Sequence, residues 1–143
     1  MPPEPPYVVA GLDDIPHGYV RGPGVAALRH VRHHLGIRAF GCTARVADAA
    51  GDVLVVAHDE RASGPFGTEG HEELYVVLRG RATFTLDDQE IDAPAGTLVF
   101  VRDPEVTRSA VAAAAGTAVL AIGGPPDAAY AVAPWEQRLL EEP

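Results

Sequence analysis

The stretch from Gly70 to Asp103, GHEELYVVLRGRATFTLDDQEIDAPAGTLVFVRD, limits what this chain can fold into more than any other. Tyr75, Val76, Val77 and Leu78 are the aromatic and branched types that suit a pleated sheet. After Arg79-Gly80, Ala82, Phe84 and Leu86 alternate with Arg81, Thr83 and Thr85, the period of two expected of a half-buried strand. Asp87-Asp88-Gln89 supplies a turn and Pro94-Ala95-Gly96 a corner, after which Thr97 to Val101 forms a further strand. Asp103-Pro104 ends it, because proline has no N–H to give a ladder. Three short strands in little more than thirty residues predict an antiparallel, all-β domain.

The flanks extend this pattern. Tyr7 to Gly11 is read as a short strand, and Asp13 to Gly24 as a loop broken by Pro16, Gly18, Gly22 and Pro23. In Val25–Leu35, Val25, Leu28, Val31 and Leu35 suit a helical stripe, whereas Arg29, Val31 and His33 alternate as in a strand; strand plus turn is preferred because Gly36 follows. Ile37 to Val46 and Val53 to His58 read as strands on either side of the Asp48–Asp52 turn, and Arg61 to Gly70 as a loop. Ser109–Ala112 and Thr117–Ile122 are expected to pair around Ala115-Gly116. Pro134 to Glu142 suits a short C-terminal helix, with Trp135 and Leu139 on one face. The organisation expected is an arm and loop over residues 1–24, a barrel over 25–123 and a tail with a short helix over 124–143.

Composition removes several function classes. A chain of 143 residues can bury a core as one domain without disulfides. The net charge of −9 opposes nucleic-acid binding, since phosphates would be repelled. Every basic residue apart from histidine is arginine, a bias of composition rather than a signal of function. The single cysteine, Cys42, excludes a disulfide framework or a cysteine-rich zinc site, and is read as a small buried hydrophobe. No apolar run approaches the roughly 20 residues that span a bilayer. Met1 to Pro6 has neither the basic start nor the apolar core of a signal peptide, so no membrane partner and a cytoplasmic location are expected. Gly22–Ala27 imitates a dinucleotide fingerprint but lacks the βαβ unit around it. His30, Arg32, His33 and His34 form a basic cluster that reads as a solvated face.

Two pieces of this sequence resemble the cupin superfamily. Glu73 followed at the right interval by Gly80 is similar to the end of the first cupin motif, and Pro94-Ala95-Gly96 to the Pro-x-Gly of the second; the likeness covers Val53 to Ile122. The resemblance implies a small antiparallel jelly-roll β-barrel enclosing a ligand or metal pocket. It also implies a homodimer, because a short open barrel has strand edges to cover. A cupin metal site needs about three imidazoles and one carboxylate. The two histidines expected in the first motif fall on Gly67 and Glu69, and that of the second on Val99, leaving only Glu69 and Glu73 as ligands.

In a second register the 61–70 loop is an insertion, and His58-Asp59-Glu60 supplies a His-x-Glu pair on the preceding strand. Alternation puts His58 and Glu60 on one face. With Glu73, and with His71 as a further member, they form a mixed cluster suited to a divalent Fe, Mn, Ni, Cu or Zn ion. The leading expectation is a barrel that binds a small organic molecule without the three-histidine metal. Its pocket would be lined by His58, Glu60, Glu69, His71, Glu73, Tyr75 and Val99, with Phe66 covering the mouth. The alternatives are a metal-dependent dioxygenase or isomerase holding its ion on His58, Glu60 and Glu73, with His71 or Tyr75 as acid or base, and a metal-free lyase or isomerase using Glu73 and His71 as an acid–base pair.

Overall fold

The computed structural model describes residues 4–18, 22–61 and 70–141. Nine strands are found in it: β1 (Ala27–Arg29), β2 (Gly41–Val46), β3 (Val53–His58), β4 (Glu72–Arg79), β5 (Arg81–Leu86), β6 (Gln89–Pro94), β7 (Leu98–Val101), β8 (Arg108–Ala112) and β9 (Ala118–Gly124). They form a five-stranded sheet in the order β1-β2-β9-β4-β7 and a four-stranded sheet in the order β3-β8-β5-β6. Every pairing between these strands is antiparallel, which gives the jelly-roll barrel. A one-turn helix α1 (Val31–Leu35) and a C-terminal helix α2 (Pro134–Glu141) complete the chain.

The barrel arises because its strands change sheets at corners. β4 and β5 follow one another in sequence, yet β4 pairs with β7 and β9 while β5 pairs with β6 and β8. Gly80 makes the corner with φ +75°, and a Cβ there would stand 2.7 Å from Thr117 Cα, so only glycine fits. Thr117, fully buried, accepts from the Arg81 N–H, and its one hydroxyl hydrogen has the Ala114 carbonyl at 2.7 Å and the Arg81 carbonyl at 3.0 Å as acceptors, tying the corner to the opposite loop. By contrast β5 and β6 form a hairpin, Leu86 opposite Gln89, with Asp87 at φ 52° as two-residue turns prefer.

The core lies between the sheets. Tyr75, Val77, Val99, Val101, Val119 and Ala121 from one sheet meet Leu54, Val55, Ala82, Phe84, Ala93, Ala110 and Ala112 from the other. A second cluster of Ile15, Val31, Cys42 and Ala44 sits on the outer face of the five-stranded sheet, joined by Leu120 and Ile122. β9 therefore sends Val119 and Ala121 to one cluster and Leu120 and Ile122 to the other, which accounts for its unbroken apolar run.

Four expectations need correction. Tyr7 to Gly11 forms no strand, and Tyr7 and Val9 are exposed. Val25–Leu35 is neither all strand nor all helix: β1 gives way at His30 to α1, whose end is set by Gly36 in the left-handed conformation. β8 and β9 do not pair with each other, since the Ala113–Thr117 connection carries the chain between sheets. The basic cluster is only half solvated: His33 and His34 are exposed, but His30 and Arg32 are buried against Glu136 of α2, with Arg32 Nε 3.3 Å from its carboxylate. Among the described residues no helix is long and apolar enough to cross a membrane.

Candidate functional site

A cavity of about 160 Å³ opens between β2, β9 and β4 of one sheet, β3 of the other, and the C-terminal segment. Leu28, Leu54, Val55, Ala121 and Trp135 give it apolar walls, and Arg45, His58, Glu60, His71 and Glu73 bring polar groups to it. Gly41 makes room for the roof: its missing Cβ would lie 3.1 Å from the Tyr130 hydroxyl. Trp135 and Glu136, at the start of α2, line the same space.

β3 delivers His58 at its last position, opposite Arg108 on β8, and β4 delivers Glu73 opposite Val101. His58 Nδ1 lies 2.7 Å from the Val56 carbonyl and Nε2 2.9 Å from the Glu60 carboxylate; both oxygens accept, so the protonated ring donates from both nitrogens. The same Nε2 lies 3.8 Å from Glu73 Oε1. Glu73 Oε1 also accepts from the Tyr75 hydroxyl, in a short contact, and from Arg108 Nη1 at 3.3 Å. Arg108 is fully buried, and its other nitrogens donate to the Val106 and Asp103 carbonyls. Its side chain is thus fixed by backbone before it meets Glu73.

This packing sets the protonation of the cluster. Burial pushes the Glu73 carboxyl up, and the neighbouring Glu60 carboxylate adds to this; the Tyr75 hydrogen bond and the His58 and Arg45 charges oppose it without reversing the direction. For His58 burial favours the neutral ring, but the Glu60 hydrogen bond and the Glu73 charge outweigh it and raise its pKa. Burial and the adjacent Glu73 charge hold the Tyr75 phenol well above its ordinary range. Tyr130 is pushed up to about 12, by burial first and Glu136 second, and Cys42 to about 11 by burial, which leaves it a thiol rather than a nucleophile.

Of the residues singled out from sequence, His58, Glu60, His71 and Glu73 do reach the cavity. His71 stands beside Tyr130, ring centroids 5.8 Å apart. Tyr75 and Val99 do not line it: directly opposite one another on β4 and β7, they point into the core, where Tyr75 packs on Phe84 and reaches the site only through its hydroxyl. Phe66, Glu69 and Gly67 lie outside the described residues. Ligand atoms of His58, Glu60 and Glu73 all fall within 4.8 Å of one another, close enough to hold a divalent ion. The fuller set of about three imidazoles is not available to them, and Glu73 Oε1 is already engaged by a buried guanidinium. Sequence reasoning passed over Arg45, Arg108, Tyr130 and Trp135; their arginine, tyrosine and tryptophan types stand in no local motif, and only strand pairing and the return of the tail bring them in.

Solved structures share this fold at low sequence identity. A cupin protein from Bacteroides fragilis is 16% identical, with a TM-score of 0.61 over 90% of this chain and 92% of its own. A sugar phosphate isomerase of the cupin superfamily from Silicibacter pomeroyi is 15% identical, with a TM-score of 0.63 over 81% of this chain and 74% of its own. A double-stranded β-helix protein from Klebsiella pneumoniae is 13% identical, with a TM-score of 0.61 over 87% and 96%. No curated protein matches by sequence. Residues 51–140, from the turn before β3 through most of α2, match the family described as AraC-like ligand binding domain, and the chain, a small cupin-fold protein, belongs to that family.

Proposed function

We propose that this protein binds a small polar organic molecule in the cavity, holding it by the His58–Glu60–Glu73 side and sealing it under Tyr130 and Trp135, without a resident metal. The observation that carries the reading is the cavity itself: apolar walls with a few convergent polar groups are the form of a ligand site. Its size also limits the ligand. A dry cavity of about 150 Å³ takes a benzene-sized body, so the 160 Å³ here sets the scale of the buried part of a small ligand. The family's description as ligand binding supports the reading, as does the sugar phosphate isomerase among the structural neighbours.

Trp135 is the chain's only tryptophan and lines the cavity, so its fluorescence reports occupancy directly. Titration with monosaccharides and their acids is expected to give a saturable change in that signal, lost in Thr43→Phe, which fills the cavity from β2. A saturable change that persists in the filled variant would place the binding elsewhere and overturn the reading.

The convergence of His58, Glu60 and Glu73 favours a second reading, a metal-dependent enzyme in which these three hold a divalent ion. With Nδ1 donating to the Val56 carbonyl, Nε2, which faces Glu60, is the nitrogen that would ligate the ion. Elemental analysis of protein purified without an affinity tag separates the two. Stoichiometric Fe, Mn, Ni, Cu or Zn that disappears in His58→Ala establishes the second reading; protein that stays free of metal after soaking in each ion supports the first.

A further inference from the structure

Arg45 lines the cavity and takes part in none of the ion pairs that hold the site together. It lies two residues from Thr43 on β2, on the strand face that lines the cavity. Its Nη1 is buried and has no hydrogen-bond partner. Each carboxylate that lines the cavity already has a basic partner: Glu60 has His58 at 2.9 Å, and Glu73 and Glu136 have Arg108 and Arg32, which stand behind the lining, at 3.3 Å each. These pairs each engage one carboxylate oxygen, Oε1, and among the described residues no carboxylate lies within ion-pair distance of Arg45.

Arg45 is half-buried, but an N–H of its guanidinium that is buried and open is costly unless something compensates it. Its planar fork matches a carboxylate or phosphate, with which it forms charge-assisted, often bidentate pairs. We infer that the ligand of this cavity is a small organic anion whose carboxylate or phosphate is held by Arg45, while its hydroxyl groups face the His58–Glu60–Glu73 side. The inference rests on the small-molecule reading above and narrows it to one chemical class. The apolar walls contributed by Leu28, Leu54, Val55 and Ala121 separate the two polar ends and suit the carbon skeleton of a hydroxy acid or sugar derivative.

Three probes of one skeleton test it: glucose, glucuronate and glucose 6-phosphate, each titrated into the full chain with Trp135 fluorescence and calorimetry as readouts. Glucuronate or glucose 6-phosphate is expected to bind at least about tenfold more tightly than glucose, the preference between the two showing whether the fork holds carboxylate or phosphate. Arg45→Met is expected to abolish that preference and Arg45→Lys to keep part of it. A second measurement needs no ligand: because Nη1 has no hydrogen-bond partner in the free protein, Arg45→Met is expected to leave its Tm unchanged or raise it by a few degrees. A Tm several degrees lower in Arg45→Met would show that Arg45 serves the fold, and would overturn the inference. So would glucose binding as tightly as its anions, a result that leaves the small-molecule reading standing. An anion preference that survives Arg45→Met removes Arg45 from the site, and failure of all three probes to bind removes the anion proposal with it.

Discussion

Replacing Arg108 by methionine is the sharpest test of how the site is held together. The guanidinium is fully buried and makes four hydrogen bonds: Nε to the Val106 carbonyl at 3.1 Å, Nη2 to the same carbonyl at 3.0 Å and to Asp103 at 3.4 Å, and Nη1 to Glu73 Oε1 at 3.3 Å. Methionine fills much of the space but strands the Glu73 carboxylate without its guanidinium partner, and breaking one side of a buried ion pair costs about 3–5 kcal/mol. A chain of 143 residues has an unfolding entropy of about 0.3 kcal/mol/K near its midpoint, so the loss corresponds to a fall in Tm of roughly 10–17 °C. The loss depends on pH with a definite sign. Removing the cation pushes the Glu73 carboxyl further up, so the variant is least impaired in acid, where Glu73 is neutral, and most impaired once it must ionise. Arg108→Met/Glu73→Gln is expected to recover most of the stability, because the amide needs no counter-charge and still accepts from Tyr75. Urea denaturation of the four members of this cycle measures the coupling directly. A single-variant loss below about 1 kcal/mol, or a double variant no more stable than Arg108→Met, would refute the view that Arg108 acts by neutralising Glu73.

Two further perturbations read separate parts of the structure. Glu73 and His58 both have native pKa values raised above their ordinary 4.5 and 6.5, so each binds its proton more tightly in the folded state. The stabilisation each gives is complete below its ordinary value and is lost as pH rises through its raised one. The stability difference between wild type and Glu73→Gln is therefore expected to shift in favour of the variant as pH climbs from 4.5, measured by chemical denaturation at successive pH values; a difference independent of pH would sink the assignment. At the corners, Gly80 and Gly96 both have positive φ, +75° and +91°, but a side chain at Gly80 meets Thr117 whereas one at Gly96 meets nothing within 4 Å. Gly96→Ala is expected to cost about 1–2 kcal/mol from backbone strain alone and Gly80→Ala clearly more, a ranking that thermal denaturation would reverse if strain, rather than the close approach, dominated both sites.

Strands were legible in this sequence because they are local, and the barrel was not. Alternation in Arg81–Leu86 and the branched run of β4 reveal strands from neighbouring residues alone. Which sheet each strand joins depends on partners far along the chain, so β8 and β9 read as a hairpin when they in fact stand in different sheets. Val25–Leu35 carried both periods because it is both, three residues of strand and then one turn of helix, each too short for a period to prevail. The site divides in the same way. His58 and Glu60 were found through alternation and Glu73 through its interval to Gly80, and they do meet. Arg108 joins them only because β8 pairs with β3 and sets it opposite His58, and Tyr130 and Trp135 only because the chain folds back after β9. Val99 was placed in the pocket by a motif whose histidine it replaces; as an apolar residue opposite Tyr75 it follows the core instead.

That replacement and Arg108 bear on one physical question, whether an ion can occupy the cluster. A divalent ion on His58, Glu60 and Glu73 would stand near the Arg108 guanidinium, which already lies 3.3 Å from Glu73 Oε1. With an effective dielectric constant of about 20, charges of two and one at about 5 Å repel by roughly 7 kcal/mol, a penalty of the same size as a micromolar binding energy. The guanidinium would then take the ion's place as the positive partner of Glu73, and unlike an ion it cannot leave. If so, the two are interchangeable: Mn²⁺ or Zn²⁺ should raise the Tm of Arg108→Met, by relieving the stranded carboxylate, and leave that of the wild type unmoved. Calorimetric titration of both proteins with each ion decides it. Wild-type protein binding the ion as tightly as the variant would mean that Arg108 exerts no such exclusion, and the metal-dependent reading of the site would then be the stronger one.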